Sequence, residues 1–321
     1  MLYKKFPESF QGTNKKNNYF EGWYNKIVAP TQDHIYAFIP TIALNSNHPH
    51  SAIQVFDGFN VNYHYLEYPL ESFTNFSSID YHVKIGSSVF SSHGMKLNIQ
   101  GDDLEIKGIL KNSNITRWPK TLLQPGAMGW LSYFPFLETY HGIVSMSHNL
   151  NGILRINDLS VNFNGGKGYI EKDWGKSFPK AWIWMHSNHF LKNNISFMFS
   201  IAKIPLLSFK MTGFLSILWF KNRFYKFTSY NFSKIEKLDL NQEIVKIIVS
   251  NHNYTLKIMA VSGKKVNMKA PISGNMRANC IESMNSKIYL ELYQRKGKNN
   301  ILLFKDVGTS AGLEIMDNGE F

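Results

Sequence analysis

The sequence predicts an all-β protein built from two barrel-like domains. Apolar or aromatic runs of about four to eight residues alternate with clusters of Gly, Asn, Asp and Ser, which is typical of short strands and tight turns. No segment keeps a helical apolar period long enough for a long helix. The chain has 321 residues, of which 44% are hydrophobic and 15% aromatic, and this length favours two barrel domains over one.

The strand pattern is clearest in four segments, residues 34–44, 51–58, 94–110 and 287–307. Residues 94–110 are predicted to form a hairpin that turns at Gly101-Asp102-Asp103, and residues 287–307 one that turns between Lys296 and Asn300. The polar zone 149–166 is rich in Gly and Asn. It is therefore the predicted boundary between an N-terminal domain, residues 1–160, and a C-terminal domain, residues 161–321.

The distribution of the basic residues argues against a nucleic-acid partner. The net charge is +12, but the Lys and Arg residues are scattered in pairs, and no long basic run or nucleic-acid motif is present. A solvated basic surface is the favoured interpretation, and loose attraction to an anionic membrane stays open.

Cysteine content and hydropathy predict a cytoplasmic protein. Cys280 is the single cysteine, and the first residues lack the apolar core of a signal peptide. The most apolar region, residues 201–220, is interrupted by Lys203, Pro205 and Lys210, so we do not predict a membrane-spanning helix. Its segment "AKIPLLSF" (202–209) is either an ordinary hairpin or a loop that contacts the bilayer. The Lys-, Asn- and Ile-rich composition is typical of an AT-rich bacterial genome.

Alternation along strands places candidate functional side chains on shared faces. Residues two apart point to the same side of a strand. One such face in residues 181–190 carries Trp182, Trp184, His186 and Asn188. A second candidate face, in residues 169–174, carries Tyr169, Glu171 and Asp173. If these two strands are joined around residues 175–179, the carboxyl groups come to lie beside the tryptophans and the histidine.

Two further segments carry comparable groups. In residues 17–28, one strand face holds Tyr19, Glu21, Trp23 and Asn25, and residues 133–146 hold a turn with Glu138, Tyr140 and His141. Each pattern also has a structural interpretation, because buried carboxylates usually pair with Lys, tryptophan rows are often core, and a lone histidine is often a satisfied structural group. Both interpretations stay open on spacing alone.

Several other chemistries are less well supported, because their motifs are missing. The sequence has no Gly-x-Gly-x-x-Gly, no Walker loop and no Gly-x-Ser-x-Gly. The 11 histidines include His48 and His50, but no spaced set of His and carboxylate resembles a zinc or iron site. We therefore expect no metal and no cofactor.

Three segments together resemble the tocopherol cyclase family. "YFEGWYNKIV" (19–28) is similar to the family's Phe-Glu-Gly-Trp-Tyr motif, and "GYIEKDWGKSFPKAWIWMHSNHF" (168–190) to its Ser-Glu-Lys-Asn-Trp-Gly…Phe-Pro…Trp-Phe-Trp segment. The third, "KAPISGNMRANCIESMNSKIYLELYQR" (269–295), resembles its Arg-Ala-Pro-Thr segment and the strand after it. The resemblance covers most of the chain and implies two lipocalin-like β-barrel domains packed together.

The resemblance also implies a reaction. The plant enzymes of the family close a chromanol ring: an acid protonates the alkene of a prenylated hydroquinone, and the phenol oxygen captures the cation. The implied partner is thus a lipophilic, isoprenoid-type small molecule, with peripheral contact to a membrane. The expected function is acid-catalysed cyclisation or hydration of an isoprenoid double bond. The alternative is a non-catalytic carrier of isoprenoid or other lipophilic ligands with the same barrels.

The resemblance assigns roles to the candidate residues. Glu171 matches the Glu of the family motif and is the first choice for the acid, and the Tyr169–Glu171 pair looks like a Tyr-x-Asp pair of related hydratases. Asp173 and Glu21 are the alternative acids, and His186 or His141 could accept the phenol proton. The residues expected to line the substrate are Trp23, Glu21, Tyr19, Trp174, Trp182, Trp184 and Asn188, whose indole and phenol faces would stabilise the cation.

Overall fold

The fold is described from a computed structural model, which covers residues 6–135, 137–206, 209–297 and 299–321. Over these residues the chain forms two large antiparallel sheets, one of them a nearly closed barrel, joined by turns and three short 3₁₀ helices. The predicted all-β, lipocalin-like class is confirmed. None of the described helices is long and apolar enough to cross a bilayer.

The first sheet contains twelve strands within the described residues. They are β1 Tyr19–Val28, β2 Ile35–Leu44, β3 His50–Asp57, β4 Asn62–Pro69, β5 Phe73–Asn75, β6 His82–Ile85, β7 Ser88–Ser91, β8 Gly94–Gln100, β9 Glu105–Thr116, β10 Thr139–Ile156, β11 Leu159–Asn162 and β12 Lys167–Gly175. Two 3₁₀ helices, Leu70–Ser72 and Gly129–Tyr133, lie in the connections.

The second sheet contains eleven described strands. They are β13 Trp182–Ser187, β14 His189–Phe190, β15 Ser196–Leu206, β16 Phe209–Phe220, β17 Arg223–Thr228, β18 Lys234–Leu240, β19 Ile244–Ser250, β20 Tyr254–Val261, β21 Val266–Ile272, β22 Asn275–Lys296 and β23 Asn299–Met316. The 3₁₀ helix Ser229–Asn231 follows β17.

The strands and turns expected from the sequence are present. β2 and β3 correspond to residues 34–44 and 51–58, and the hairpin β8–β9 turns at Gly101 to Asp103. The hairpin β22–β23 pairs Lys296 with Asn299, while Lys298 lies outside the described residues. In the segment 202–209, β15 pairs with β16 up to Leu206 and Phe209, and residues 207 and 208 lie outside the described part of the chain.

Strand order places β12 at the centre of the first sheet. The order is β4-β3-β2-β1-β12-β10-β9-β8-β7-β6-β5, so β12 has β1 on one side and β10 on the other. The expectation that β12 and β13, joined around residues 175–179, bring their faces side by side is not met in the strand pairing, because among the described strands β12 pairs only with β1 and β10. β13 instead pairs with β15 and β23 in the second sheet. The turn after Gly175 is therefore a connection between two sheets.

The described chain divides into two compact units. The first consists of Met1–Phe178 with Met268–Asn279, and the second of Pro179–Asn267 with Cys280–Phe321. β12 therefore belongs with the first sheet, although the sequence boundary at 160/161 placed it in the C-terminal half. The polar zone 149–166 forms the end of β10 and the strand β11, which pair with each other.

Each unit has its own apolar core, and the cores define the faces of the strands. In the first unit, Ile170 belongs to the core and Trp174 packs against it, so the alternate residues of β12 point to the opposite face. In the second unit, Ile183 and Met185 belong to the core. The side chains of Trp182, Trp184 and His186 therefore lie on the other face of β13, as the alternation predicted.

Candidate active site

Three of the sequence segments that carry candidate residues become neighbouring strands. In the register, Asp173 of β12 lies between Gly22 of β1 and His141 of β10. Directly opposite residues of adjacent antiparallel strands share a face. The face of β12 that carries Tyr169, Glu171 and Asp173 therefore also receives His141 from β10.

The side chains on this face form a continuous polar chain, which we call the acid–histidine cluster: Tyr169, Glu171, His141 and Asp173. The Tyr169 hydroxyl donates to Oε2 of Glu171 at 2.5 Å. Nε2 of His141 lies 3.7 Å from the same Oε2, and Nδ1 of His141 lies 2.9 Å from Oδ1 of Asp173. The sequence placed all four residues among its candidates, and the structure brings them together.

Burial shapes the electrostatics of this cluster. The Glu171 and His141 side chains are only 7% and 14% exposed, respectively. Burial, reinforced by the neighbouring carboxylate of Glu171, raises the pKa of Tyr169 well above its ordinary value, so the phenol keeps its proton and acts as a donor. A carboxylate oxygen accepts from Nδ1 of His141, which leaves Nε2 directed toward Glu171.

The opposite, core-facing side of the same strands holds a second cluster around a buried ion pair. Nζ of Lys172 lies 2.5 Å from Oε1 of Glu21, and both side chains are fully buried. The Tyr19 hydroxyl and the backbone N–H of Gln11 also donate to this carboxylate. Desolvation raises the pKa of Glu21 and lowers that of Lys172, and each partner opposes the shift of the other.

Lys172 makes further hydrogen bonds and aromatic contacts within the first unit. Its Nζ donates to the carbonyls of Pro7 and Ser9. It also lies 5.1 Å from the ring centroid of Trp23 and 4.4 Å from that of Trp174, distances at which cation–π attraction acts. Trp23, Trp174, Tyr19 and Glu21 thus make the contacts of a packed core, and their role in lining the substrate stays a prediction.

The remaining candidates lie in the second unit. On β13, Nε1 of Trp182 donates to Oε2 of Glu314 at 2.5 Å, and Nε2 of His186 lies 3.4 Å from Oγ of Ser196. Trp184 packs against Gly312, and Asn188 is buried just after the strand. The part that these four residues play in binding or proton transfer stays a prediction.

Two carboxylates of the second unit were missed by the sequence analysis. In the register of the second sheet, Glu314 of β23 lies between Trp184 of β13 and Glu282 of β22. Glu282 is fully buried. The sequence feature that could have identified them is a single acidic residue inside each of two apolar strands, in "CIESM" and "GLEIM". An isolated acid at such a position is rarely buried without a specific partner or role.

Two groups in the described residues have the composition and spacing of a metal site. They are His141 with Glu171 and Asp173, and His48 with His50 and Glu67, and in each group the candidate ligand atoms lie within 4.8 Å of one another. His48 and His50 were seen in the sequence, but Glu67 is 17 residues away from His50 and comes beside them only through the pairing of β3 with β4.

The fold and the acid–histidine cluster define the class: an all-β protein with a largely buried group of two carboxyls, an imidazole and a phenol on the central strands of its first sheet. The family model described as tocopherol cyclase-like matches residues 95–316, and the chain belongs to this family. Over 200 residues the chain is 23% identical to the chloroplastic tocopherol cyclase of Zea mays. That match covers 60% of this chain and 42% of the maize protein, so the chain spans less than half of the relative's length.

Solved structures with the same fold cover nearly the whole chain. CghA with Sch210972 superposes with a TM-score of 0.57 at 8% identity, over 94% of this chain and 89% of that one. Kievitone hydratase from Nectria haematococca superposes with a TM-score of 0.51 at 10% identity, over 96% of this chain and 93% of that one. At these identities the similarity shows the fold alone.

Proposed function

We propose that the protein is a tocopherol cyclase-type enzyme that uses Glu171 to protonate an isoprenoid double bond in a prenylated hydroquinone or a similar lipid. The observation that carries the proposal is the acid–histidine cluster, in which a buried carboxyl group contacts a phenol, an imidazole and, through it, a second carboxylate. Family membership and the relatives named as a cyclase and a hydratase support an enzyme of cyclase or hydratase type.

The proposed step needs only a proton and is balanced without an oxidant. Glu171 in its acid form delivers its proton to the less substituted alkene carbon, which breaks the π bond and leaves a tertiary cation. The phenol oxygen of the substrate bonds to the cationic carbon and releases its own proton. His141, whose Nε2 lies 3.7 Å from Oε2 of Glu171, returns this proton to the carboxylate, and the substrate has been isomerised. Hydration differs only in that water captures the cation.

The other members of the acid–histidine cluster assist proton transfer by Glu171 through hydrogen bonds. Tyr169 donates to one carboxyl oxygen and stabilises the carboxylate that remains after proton transfer. Asp173 accepts from Nδ1 of His141 and so fixes which imidazole nitrogen faces Glu171. In a cyclase, burial of this carboxyl group limits the access of bulk water, which would otherwise compete with the phenol oxygen for the cation; a hydratase would admit one water to capture it.

The proposal is tested by turnover in deuterated buffer. Purified protein is incubated with a panel of prenyl hydroquinones in detergent micelles, and chromanol or hydrated product is followed by mass spectrometry. Since the new C–H bond takes its hydrogen from an exchangeable acid, the product formed in D₂O should carry one carbon-bound deuterium. Absence of turnover across the panel would contradict a cyclase or hydratase.

Variants distinguish the acid from the remaining carboxylates. Glu171→Gln should lower kcat by at least about 100-fold, since general acid catalysis contributes roughly 10²–10⁴. Glu71→Gln, at an exposed carboxylate of the same unit, is the matched control and should leave kcat unchanged. Retained turnover in Glu171→Gln would contradict the assignment of the acid.

The same purified protein also tests for a metal requirement and for the alternative of a lipid carrier. Turnover that survives dialysis against a chelator is expected, because the proposed step draws only on protein groups. A carrier would instead release unchanged isoprenoid on solvent extraction, and Glu171→Gln would leave that bound lipid in place. Bound lipid without product is therefore the result that favours the carrier.

We also propose that the protein works in the cytoplasm and meets its lipophilic substrate at a membrane surface. In the connection from β9 to β10, the exposed apolar side chains are Leu122, Leu123, Trp130, Tyr133 and Phe134. Such a group, together with the net charge of +12, supports reversible attachment to an anionic bilayer.

Membrane attachment is measured by cosedimentation with vesicles. The protein should bind vesicles that contain phosphatidylglycerol and bind neutral phosphatidylcholine vesicles more weakly. Leu122→Ser combined with Leu123→Ser should reduce this binding, because the two leucines are 80% and 76% exposed and contribute little to the fold. Equal binding by the double variant would contradict the role of this connection.

A further inference from the structure

The histidine–glutamate group at the start of β3 has the geometry of a divalent metal site. We name His48, His50 and Glu67 the hairpin triad, because they lie on the turn before β3 and on the two paired strands β3 and β4. The geometry points to a site in the first unit that binds one zinc-type transition-metal ion through Nε2 of both histidines and the carboxylate of Glu67.

Distances in the hairpin triad are within about 1 Å of those in a three-ligand zinc site. Nε2 of His48 lies 2.5 Å from Oε1 of Glu67, and Nε2 of His50 lies 3.9 Å from Oε2. Ligand atoms on a tetrahedral zinc ion are about 3.3 Å apart, since each zinc–nitrogen or zinc–oxygen bond is about 2.0–2.2 Å long. The two distances in the hairpin triad differ from this spacing by about 0.6–0.8 Å, and the His48 and Glu67 side chains, which are 57% and 41% exposed, can move by that amount.

Hydrogen bonds already orient the imidazole of His50 for such a role. Its Nδ1 lies 2.9 Å from the carbonyl oxygen of His48. A carbonyl can only accept, so Nδ1 carries the hydrogen and the lone pair of Nε2 points toward Tyr65 and Glu67. Metal-ligating histidines commonly donate their other N–H to a backbone carbonyl in this way.

The turn before β3 positions the second histidine. Oδ1 of Asn45 accepts from the backbone N–H of His48 at 2.8 Å, and Nδ2 of Asn45 donates to the His48 carbonyl at 2.9 Å. His48 and His50 are then two residues apart, and their ring centroids are 4.7 Å apart. Two imidazoles and one carboxylate form a mixed nitrogen and oxygen set, which suits zinc, cobalt, nickel or copper and not calcium or magnesium.

Two neighbouring groups compete with the ion. The Tyr65 hydroxyl lies 2.6 Å from Nε2 of His50 and donates to it, because the hydrogen of this imidazole is on Nδ1 and Nε2 can only accept. Nζ of Lys269 lies 4.0 Å from the ring centroid of Tyr65, and this positive charge near the hairpin triad repels a metal cation. Removal of the phenol should therefore favour the ion.

The site is tested by titration of the complete protein, prepared without a polyhistidine tag and dialysed against chelator. Zinc should bind saturably with one ion per chain in calorimetry and raise the Tm. Cobalt should produce visible d–d absorption. His50→Ala should weaken binding by at least about tenfold, while Tyr65→Phe should bind zinc as tightly as the wild type or more tightly.

The matched control is a second histidine–carboxylate pair, for which the described residues offer no third ligand. Nδ1 of His64 lies 3.2 Å from Oδ1 of Asp103 in the same unit, so His64→Ala should leave the affinity for zinc unchanged. Absence of saturable binding would overturn the proposal and leave an ordinary ion pair of His48 with Glu67. Equal affinity in His50→Ala, or loss of binding in Tyr65→Phe, would overturn the assigned ligand set.

Discussion

At the scale of single residues, Lys172 and Glu171 show how adjacent positions of one strand serve different purposes. Glu171 points away from the core of the first unit and joins the acid–histidine cluster. Lys172 points into that core and neutralises Glu21. A charged pair in a dry interior is costly unless each partner is well hydrogen-bonded, and two carbonyls, a phenol and a backbone N–H supply those bonds here.

Removal of one partner of the buried pair should strongly destabilise the protein. In Lys172→Met the Glu21 carboxylate stays buried without its counter-ion, and we expect a loss of about 3–5 kcal/mol in the free energy of unfolding. The double variant Glu21→Gln/Lys172→Met should recover part of this loss. Urea denaturation provides the measurement, with Lys107→Met, at an exposed pair with Glu105, as the control. A Lys172→Met variant as stable as the control would contradict the role of the pair.

His148 should make the protein sensitive to acid. The imidazole is fully buried, its Nδ1 lies 2.9 Å from Oγ of Ser145, and desolvation lowers its pKa to about 3. In the unfolded chain the pKa is about 6.5, so the unfolded state binds a proton first as the pH falls. The contribution of this group is thus fully present above pH 6.5, and it is lost at about 1.4 kcal/mol per pH unit between pH 6.5 and 3.

Urea denaturation at several pH values measures this effect. Between pH 7 and pH 5 the wild type should lose about 2 kcal/mol through His148, and His148→Gln should lose correspondingly less. His93 is the control, because its side chain is 72% exposed and His93→Gln should keep the slope of the wild type. If the free energy of unfolding of His148→Gln fell with pH as steeply as that of the wild type, another group would be the cause of the loss of stability in acid.

Much of the candidate site could be predicted at the residue scale, because strand alternation is local. The shared face of Tyr169, Glu171 and Asp173 follows from their spacing of two. The partner of each residue could not be predicted, because pairing depends on register between distant strands. Three lysines, Lys172, Lys176 and Lys180, lie near these carboxylates in sequence. Only the register of β12 with β1 places Lys172 against Glu21.

At the scale of elements, β12 organises the first sheet because it bridges strands from both ends of the first 178 residues. The individual strands β1, β10 and β12 were recognisable from their apolar and aromatic patterns. Their adjacency was not, because a β1–β12 pair crosses about 140 residues and leaves no local signal in the sequence. The expectation that the short connection around residues 175–179 places β12 beside β13 was not met for the same reason: Gly175 ends a strand of the first sheet, and β13 pairs in the second.

The turn between β21 and β22 should require glycine at position 274. Gly274 has a φ of +71°, and a Cβ there would lie 2.3 Å from the Leu44 carbonyl oxygen and 2.4 Å from the Tyr19 nitrogen. Because both atoms belong to the backbone, neither can move easily. Gly274→Ala should therefore lower the free energy of unfolding by more than the cost of about 1–3 kcal/mol that the left-handed backbone alone imposes.

Gly297 separates the two causes of this penalty. It has a φ of +58°, but a Cβ added there would meet no atom of the described residues within 4 Å, so Gly297→Ala carries the backbone cost without the collision. Thermal or urea unfolding of both variants gives the difference. Equal losses at positions 274 and 297 would contradict the close approach at Gly274.

At the scale of the whole molecule, the first unit is completed by a segment from far along the chain. Residues 268–279 contact the end of β12: the Gly274 N–H donates to the Lys176 carbonyl at 2.8 Å, and the Phe178 N–H donates to the Pro271 carbonyl at 3.1 Å. The beginning of the third sequence motif therefore lies in the same unit as β1 and β12, which carry the first motif and the start of the second. The sequence showed the motif in order but not the unit to which its beginning belongs.

The division of the long strand β22 between the two units should be visible in hydrogen exchange. Amides of residues 276–279 should gain their exchange protection from the first unit, and those of residues 288–292 from the second. Lys172→Met, which destabilises the first unit, should lower protection at 276–279 and leave residues 288–292 protected. Mass spectrometry of peptides from the complete chain tests this. Loss of protection at both places together would contradict the division.

The pairing of β1 with β12 also implies a delay during synthesis, because β1 is made long before the strand that pairs with its second edge. β1 finds one neighbour in β2 almost at once, but its other neighbour begins at Lys167, about 140 residues later. At roughly 5–20 residues per second, a ribosome needs about 7 to 28 s to supply it. Throughout that interval the aromatic strand "YFEGWYNKIV" has an open edge in the cell, where a chaperone or a second nascent chain can reach it before its own partner exists.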